Sequence, residues 1–267
     1  MKLSKQKLSD YRKLGIVKIK LSKKILKQKE IFINDSIEFF KNFDKKNCPN
    51  NLNKNKLQEY LLFTRKSNRD LISKYYKISR RFASLKSLIA SNEFIKINKQ
   101  LMETKLVSIC HFIALRIDFY QERKKKYITD IHQDFPYIQG SLNGVTFWMP
   151  IYSTETAPEY IPGSHKLGLQ KFKEFSINKK SGTKTLEMVK DNLNQKKFRN
   201  TSCKFNEMLI FNTLLIHRSS RKKYQKPRLS LQFRYDDISQ KKMFDKNYPE
   251  GLYLGDKFKK NFKQYVI

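Results

Sequence analysis

The spacing of apolar residues changes near residue 107, and this change constrains the fold more than any other feature of the sequence. Between Leu57 and Met102 the apolar residues recur at the spacing of an amphipathic helix. Residues 107–119 are instead rich in β-branched and aromatic side chains, as a buried strand would be. The sequence therefore predicts helices in the first part of the chain and a β-rich core in the second.

The N-terminal segment carries start and stop signals for two helices. Ser4 is a candidate N-cap of a helix that Gly15 ends, and Ser22 is a candidate N-cap of the next one. Between the two helices, residues 16–20 alternate between apolar and polar as a strand does. Turn-forming residues at 48–51 then interrupt the helical pattern.

Short apolar segments separated by Gly, Pro and Asn turns follow residue 126. Strands are predicted at 127–134, 145–149, 208–211, 214–217 and 229–235. Short strands with such turns favour an antiparallel sandwich or barrel. We expect one α+β domain over residues 1–267, with a mainly helical flank at 1–105, the β core at 106–237 and a basic tail at 238–267.

The formal net charge of +33 raises the question of nucleic-acid binding. The lysines are spread along nearly the whole chain and accompany many Asn, Ile, Tyr and Phe residues, which favours a compositional background on a solvated surface. Three widely spaced cysteines form no CxxC pair, which favours a reducing, cytoplasmic location without a zinc knuckle. We expect neither a signal peptide nor a membrane span.

A possible metal site starts from His132 and Asp134, which lie two residues apart in a predicted strand. Side chains at this spacing share one face of a strand, so an imidazole and a carboxylate can reach the same ion. His217, from a distant strand, would complete a set of two histidines and one carboxylate, which suits non-haem iron(II). His165 is the competing candidate for the third position, and His111 sits in an apolar run that suggests a core residue.

A second feature is the alternation that begins at Arg228, 11 residues after His217. Residues 228–235 place polar side chains at even positions and apolar ones at odd positions, so Arg228 and Ser230 face the same way. A guanidinium there can hold a carboxylate through two hydrogen bonds, with the Ser230 hydroxyl adding a third. 2-Oxoglutarate offers such a carboxylate opposite its chelating 2-oxo acid. The alternation is also compatible with an ordinary solvent-facing strand.

Three segments resemble the phytanoyl-CoA dioxygenase family. They are IHQDFPYIQGSLNGVTFW at 131–148, IPGSHKLG at 161–168 and LIHRSSRKKYQKPRLSLQFRY at 215–235. The opening DYRKLGIVKIK also resembles that family's N-terminal segment, so the resemblance spans most of residues 10–235. It implies a double-stranded β-helix, that is, a cupin-like jelly roll, flanked by N-terminal helices.

The resemblance also implies roles for particular residues. His132, Asp134 and His217 match the iron ligands, and Arg228 with Ser230 matches the site of the 2-oxoglutarate tail carboxylate. Gln133 and Trp148 match positions near the cosubstrate, although alternation along a strand would point Gln133 away from the metal. Residues 154–160 (TETAPEY) depart from the family's usual lead into the PGSH turn, which leaves the substrate open. The presence of Asp134 favours hydroxylation over the halide-binding variant of this chemistry.

The expected function is that of an iron(II)- and 2-oxoglutarate-dependent dioxygenase, a hydroxylase that uses O2 and acts on a small-molecule or carrier-linked substrate. Substrate contacts are expected from Tyr137, Tyr160 and Arg116, and from the segments 137–142, 153–160 and the basic stretch 166–184. The same chemistry on nucleic acid and a non-catalytic jelly-roll binding protein are the alternatives. The sequence specifies neither the substrate nor the oligomeric state.

Overall fold

The computed structural model describes residues 2–110, 113–119, 130–178, 183–189, 197–222, 224, 226–241 and 263–265. The helices are α1 (Lys5–Leu14), α2 (Lys23–Phe43), α3 (Leu57–Ser67), α4 (Arg69–Ile78), α5 (Ala83–Ile89), α6 (Asn92–Met102) and α7 (Phe135–Ile138). The strands are β1 (Ile16–Lys20), β2 (Val107–Ile109), β3 (Ala114–Asp118), β4 (Val145–Pro150), β5 (Glu159–Tyr160), β6 (Phe172–Asn178), β7 (Thr183–Met188), β8 (Glu207–Asn212), β9 (His217–Arg218) and β10 (Arg228–Asp237). This mixture of helices and antiparallel strands is the class that the sequence predicts. Within the described ranges, no helix has both the length and the apolar composition that crossing a membrane requires.

The predicted helix signals at the N-terminus are confirmed. The Ser4 hydroxyl accepts a hydrogen bond from the backbone N–H of Lys7, and the Ser22 hydroxyl accepts one from Ile25, so each serine satisfies an N–H of the first helical turn. Gly15 adopts the left-handed conformation (φ 76°) that ends α1. Strand β1 follows it directly and joins the main sheet, which brings the end of α1 close to the β core.

The main sheet is antiparallel and, among the described residues, has six strands. Its order is β1-β8-β4-β10-β2, and β3 pairs with β10 as well. Strand β10 pairs with β3 over Arg228–Gln232 and with β2 over Tyr235–Asp237. The prediction of one strand over 107–119 is therefore wrong: two short strands share one long partner.

The two faces of β10 pack against different surroundings. Its odd-numbered apolar residues belong to the core shared with the helices, where the Phe94 ring of α6 lies 5.7 Å from Phe233 and 5.2 Å from Phe147 of β4. Its even-numbered residues Arg228, Ser230 and Arg234 are also buried, on the opposite face. Charged side chains are buried only with partners, so this second face is expected to carry a polar site.

Shorter strand pairs lie outside the main sheet. Strand β5 pairs with β9, and β6 pairs with β7 as a hairpin that overlaps the basic stretch 166–184, from which substrate contacts were expected. The predicted strand at 214–217 is wrong, because the strand there is His217–Arg218. The predicted strand at 127–134 is also wrong in its described part, where His132 forms only an isolated bridge with His217. His111 and most of the tail lie outside the described residues, and Lys263–Tyr265 forms a 3-10 turn.

A buried carboxyl group near the end of β10 fixes the loop between α7 and β4. Asp236 accepts a hydrogen bond from the backbone N–H of Ser141 (2.9 Å). The backbone approaches so closely that a Cβ on Gly140 would lie 1.9 Å from Oδ1 of Asp236, and glycine is therefore required there. Burial raises the pKa of Asp236 to about 6, although the contacts with Ser141 act in the opposite direction.

We predict that Asp236→Asn changes how the free energy of unfolding depends on pH. A carboxyl group with a pKa of about 6 in the folded chain and near 3.8 in the unfolded chain stabilises the fold fully only below the unfolded value. As the pH rises from about 4 to 7, the free energy of unfolding of the wild-type protein should therefore fall by up to about 3 kcal/mol relative to that of the variant. Urea unfolding at several pH values measures this difference, and Asp70→Asn at an exposed site of α4 is the control. Parallel pH profiles for wild type and Asp236→Asn would contradict the raised pKa of Asp236.

Candidate metal centre and its cleft

Three side chains predicted to bind metal meet at one point. Nε2 of His132 lies 3.5 Å from Oδ1 of Asp134, and Nε2 of His217 lies 3.7 Å from the same oxygen. The three potential ligand atoms all lie within 4.8 Å of one another, and all three side chains are buried. Ligands at metal distances of about 2.1 Å are separated by roughly 3 Å on one octahedral face. The arrangement is therefore close to that of a facial set of two imidazoles and one carboxylate.

Backbone carbonyl groups orient both imidazole rings. Nδ1 of His132 lies 2.7 Å from the carbonyl oxygen of Asp130, and Nδ1 of His217 lies 2.8 Å from that of Leu215. A carbonyl oxygen only accepts hydrogen bonds, so each Nδ1 carries the proton and donates it. In the neutral ring, Nε2 then carries the lone pair and directs it into the shared space, as a metal ligand must.

Backbone pairing brings the two histidines together from positions far apart in the chain. His132 and His217 exchange two hydrogen bonds, of 2.9 and 3.0 Å, and their ring centroids lie 4.1 Å apart. The backbone N–H groups of Asp134 and Phe135 both donate to the carbonyl oxygen of Thr213, just before α7 begins. Asp134 is therefore positioned by an isolated bridge and the start of a helix. The sequence had predicted a continuous strand there.

The second carboxylate oxygen of Asp134 has partners of its own. Oδ2 accepts hydrogen bonds from Oγ1 of Thr146 (2.7 Å) and from Nη2 and Nε of Arg234 (3.0 and 3.2 Å). Oδ1 alone faces the two imidazoles. Neither partner was assigned a role from the sequence. Arg234 lies on the polar face of the alternation that starts at Arg228, which was the available signal, whereas no sequence pattern marks Thr146.

The electrostatics favour the protonation states that a metal ion needs. Burial by itself would raise the pKa of Asp134, but the Arg234 charge and the two histidines hold it well below its usual range. Burial, with the repulsion of His132, lowers the pKa of His217 to about 3. At neutral pH the site therefore offers a carboxylate and a neutral His217 imidazole.

A cleft connects the histidines with several other predicted residues. His132, His217, Trp148, Arg116, Gln232 and Arg228 all contribute to its wall. Trp148 is the only tryptophan in the chain and is buried. Arg228 is buried as well, and Ser230 lies two residues further along the same face of β10. The structure thus brings the predicted cosubstrate arginine and tryptophan to the same cleft as the metal candidates.

The fork of Arg228 is already engaged by other groups. Its Nε donates to Oδ2 of Asp118 (3.1 Å), Nη2 donates to the same oxygen, and Nη1 donates to the backbone carbonyl oxygen of Thr156. Arg116 lies within 3.7 Å of the other Asp118 oxygen. A carboxylate therefore already occupies the place that a carboxylate ligand of Arg228 would take.

Three other predicted site residues are not among the described residues that line the cleft. The Gln133 amide donates to the carbonyl oxygens of Gly168 and Leu214, and its oxygen accepts from the N–H of Gln170, so all three hydrogen bonds are to backbone groups. The Tyr137 ring packs edge-on against His132 at 5.9 Å, and Tyr160 pairs with His217 through the backbone. Neither tyrosine is among the described residues that line the cleft. Their roles in binding substrate or cosubstrate stay predictions.

His165, the alternative third ligand, packs at the end of α1. A Cβ on Gly15 would lie 2.4 Å from Nδ1 of His165, which shows how closely the imidazole approaches that turn. His165 is not part of the group of metal-ligating side chains found among the described residues. The geometry therefore favours His217 as the third ligand.

Solved structures resemble this fold at low sequence identity. The non-heme monooxygenase ThoJ in its apo form is 13% identical, with a TM-score of 0.55 and coverage of 86% of this chain and 76% of that chain. EctD from S. alaskensis with bound Fe is also 13% identical, with a TM-score of 0.55 and coverage of 89% and 78%. EvdO2 from Micromonospora carbonacea var. aurantiaca, complexed with 2-oxoglutarate, is 9% identical, with a TM-score of 0.55 and coverage of 88% and 91%. No family model and no curated protein matches the chain. At these identities the likeness establishes the fold.

We predict that Thr146→Val weakens Fe(II) binding about 10- to 100-fold, because it removes a hydrogen bond that orients Asp134 while keeping the volume of the side chain. Anaerobic titration with Fe(II) measures the affinity. Thr64→Val is the matched control, since Thr64 is a buried threonine whose hydroxyl donates to the Tyr60 carbonyl oxygen within α3. Equal Fe(II) affinities for wild type and Thr146→Val would show that Thr146 does not support a ligand.

Proposed function

We propose that this chain is an iron(II)- and 2-oxoglutarate-dependent dioxygenase that hydroxylates an unactivated C–H bond of a small-molecule or carrier-linked substrate. The observation that carries the proposal is the convergence of His132, Asp134 and His217 beside a cleft that also contains Arg228. Two imidazoles and one carboxylate on one face of an ion leave three positions open, which suits oxygen chemistry at iron(II).

We further propose that residues 1–267 form one domain with a double-stranded β-helix core, related to the phytanoyl-CoA dioxygenase family. In this arrangement the main sheet would be one layer, and the shorter pairs β5–β9 and β6–β7 would belong to the other. The shared core of helices and main sheet supports a single domain. The likeness to the folds of EctD with bound Fe and EvdO2 with 2-oxoglutarate supports both the cofactor and the cosubstrate.

Bound iron(II) and 2-oxoglutarate would supply the oxidising chemistry, in which O2 gives one oxygen atom to succinate, with loss of CO2, and one to the substrate. The chain's own residues hold and orient these groups. His132 and His217 would each contribute Nε2. Thr146 and Arg234 engage Oδ2 of Asp134 and so leave Oδ1 as the oxygen directed at the metal. Trp148 lines the cleft, where its apolar ring would exclude water.

Arg228 would bind the distal carboxylate of 2-oxoglutarate by exchanging its partner Asp118. The ion pair between them is accessible enough for this exchange, since the Asp118 side chain is 14% exposed compared with 6% for Asp134. An arginine fork binds one carboxylate as well as another, so the cost of releasing Asp118 offsets part of the gain from binding the cosubstrate.

The direct test is anaerobic addition of iron(II) and then 2-oxoglutarate to the purified protein, followed by visible absorption spectroscopy. We expect the weak charge-transfer band of the chelate in wild type, no band in Asp134→Ala and a weaker band in Arg228→Ala. Asp70→Ala and Arg81→Ala remove the same charges at exposed sites and should leave the band unchanged. A folded wild-type protein without the band would refute the proposal and favour a non-catalytic binding protein.

A second prediction concerns Asp118→Asn, which removes the charge that competes with the cosubstrate for Arg228. We expect the Kd for 2-oxoglutarate, measured from the same band, to fall several-fold in this variant. Exposed Asp70→Asn should leave the Kd unchanged. A weaker affinity in Asp118→Asn would mean that Asp118 orients Arg228 for the cosubstrate and does not compete with it.

A further inference from the structure

A second, larger cavity adjoins the cleft of the metal candidates. Its volume is about 570 Å³, which lies within the roughly 300–1,000 Å³ typical of small-molecule sites. The two spaces share Arg116, Ser219 and Arg228 in their walls. A molecule in the larger cavity can therefore extend toward the metal site.

The wall that the helices contribute to this cavity is cationic. Arg65 of α3, Lys77 of α4 and Arg80 of the 3-10 turn Ser79–Arg81 all line it, in addition to Arg116 and Arg228 on the sheet side. Asp118 is the one carboxylate among the described lining residues, and it is paired with Arg228. The described wall thus carries an excess of positive charge, concentrated at the end formed by the helices.

Aromatic side chains position two of these cations. The guanidinium of Arg65 lies over the Phe119 ring at 5.6 Å, and that of Arg80 lies over the Tyr76 ring at 5.7 Å. The face of an aromatic ring attracts a guanidinium cation electrostatically, which helps to fix its position. The lining also includes the apolar side chains of Ile72 of α4 and Ile117 of β3.

We propose that the substrate is a small molecule with a phosphate group, which the helical wall of Arg65, Lys77 and Arg80 binds. This inference rests on the proposed function, because it treats the metal cleft as the place of reaction. One guanidinium neutralises a single carboxylate, whereas three cations match a phosphate dianion with its three terminal oxygens. The apolar lining residues would contact the uncharged part of the substrate. The cavity volume fits a small ligand better than a strand of nucleic acid.

The test measures binding of inorganic phosphate to the anaerobic complex with iron(II) and 2-oxoglutarate, by calorimetry in moderate salt. We expect saturable one-site binding in wild type and an affinity at least about 10-fold weaker in the double variant Arg65→Gln/Arg80→Gln, because two charge-assisted hydrogen-bonding groups are lost. Lys77→Gln should give a smaller loss. The charge-transfer band should stay unchanged on addition of phosphate, which shows that phosphate binds neither the metal nor Arg228.

Arg81→Gln is the matched control for the large net charge of the chain. Arg81 belongs to the same 3-10 turn as Arg80, is exposed, and is not among the residues that line the cavity. The affinity of the Arg81→Gln variant for phosphate should stay within about twofold of the wild-type value. An equal loss in Arg81→Gln and in the double variant would attribute binding to general surface charge and overturn the proposal.

Other outcomes separate this inference from the proposed function. A normal band without saturable phosphate binding would refute the phosphate site while the dioxygenase proposal stands. Saturable phosphate binding by protein that gives no band after addition of iron(II) and 2-oxoglutarate would refute the dioxygenase proposal and, with it, the assignment of the anion site to a dioxygenase substrate. Tighter binding of succinate than of phosphate would overturn the phosphate assignment. Salt-sensitive binding of a single-stranded oligonucleotide that Arg65→Gln/Arg80→Gln abolishes would replace the small molecule by nucleic acid.

Discussion

The backbone pairing between His132 and His217 is the contact on which the candidate site depends. These residues are distant in the chain, and two hydrogen bonds hold their imidazoles at a ring separation of 4.1 Å. Each such bond contributes only about 1 kcal/mol, so neighbouring contacts must reinforce the pair. Gln133, which lies between His132 and Asp134 in the chain, makes one of these contacts: its buried amide donates to the carbonyl oxygen of Leu214. The residue between the ligands thus acts on the backbone that carries the third ligand.

Two buried arginine–carboxylate pairs lie on the same face of β10 and differ in accessibility. Arg234 holds Asp134, whose side chain is 6% exposed, whereas Arg228 holds Asp118, whose side chain is 14% exposed. Separating a buried pair costs several kcal/mol when no replacement ion arrives. The pair at the metal position is therefore suited to fixing a ligand. The pair at Arg228 lines the cleft, where an incoming carboxylate can replace the one that leaves.

The parts of this arrangement that follow from local pattern could be predicted. Serine caps, the glycine at the end of α1 and the alternation in β10 depend on neighbouring residues, and each was identified from the sequence. Thr146 and Asp118 reach the site only through the pairing of β4 and β3 with β10, which no local pattern encodes. The spacing of His132 and Asp134 correctly predicted that the two side chains lie together, but it did so from a strand that does not form. An isolated bridge at His132 and the start of α7 after Asp134 bring the side chains to the same point. The β6–β7 hairpin was not predicted, and its stretch was identified from the sequence only as basic.

The positive charge of the chain acquires structural meaning only where the fold fixes its position. A net charge of +33 spread over a surface attracts any anion weakly, since salt screens exposed charges beyond about 8–10 Å. Arg65 and Arg80 differ from that background because aromatic rings hold them at the wall of a cavity that joins the metal cleft. Arg81, one residue further along the chain, carries the same charge on an exposed site. The same basic composition thus supplies both a nonspecific surface and a defined anion wall, and the cavity geometry decides which residues belong to the wall.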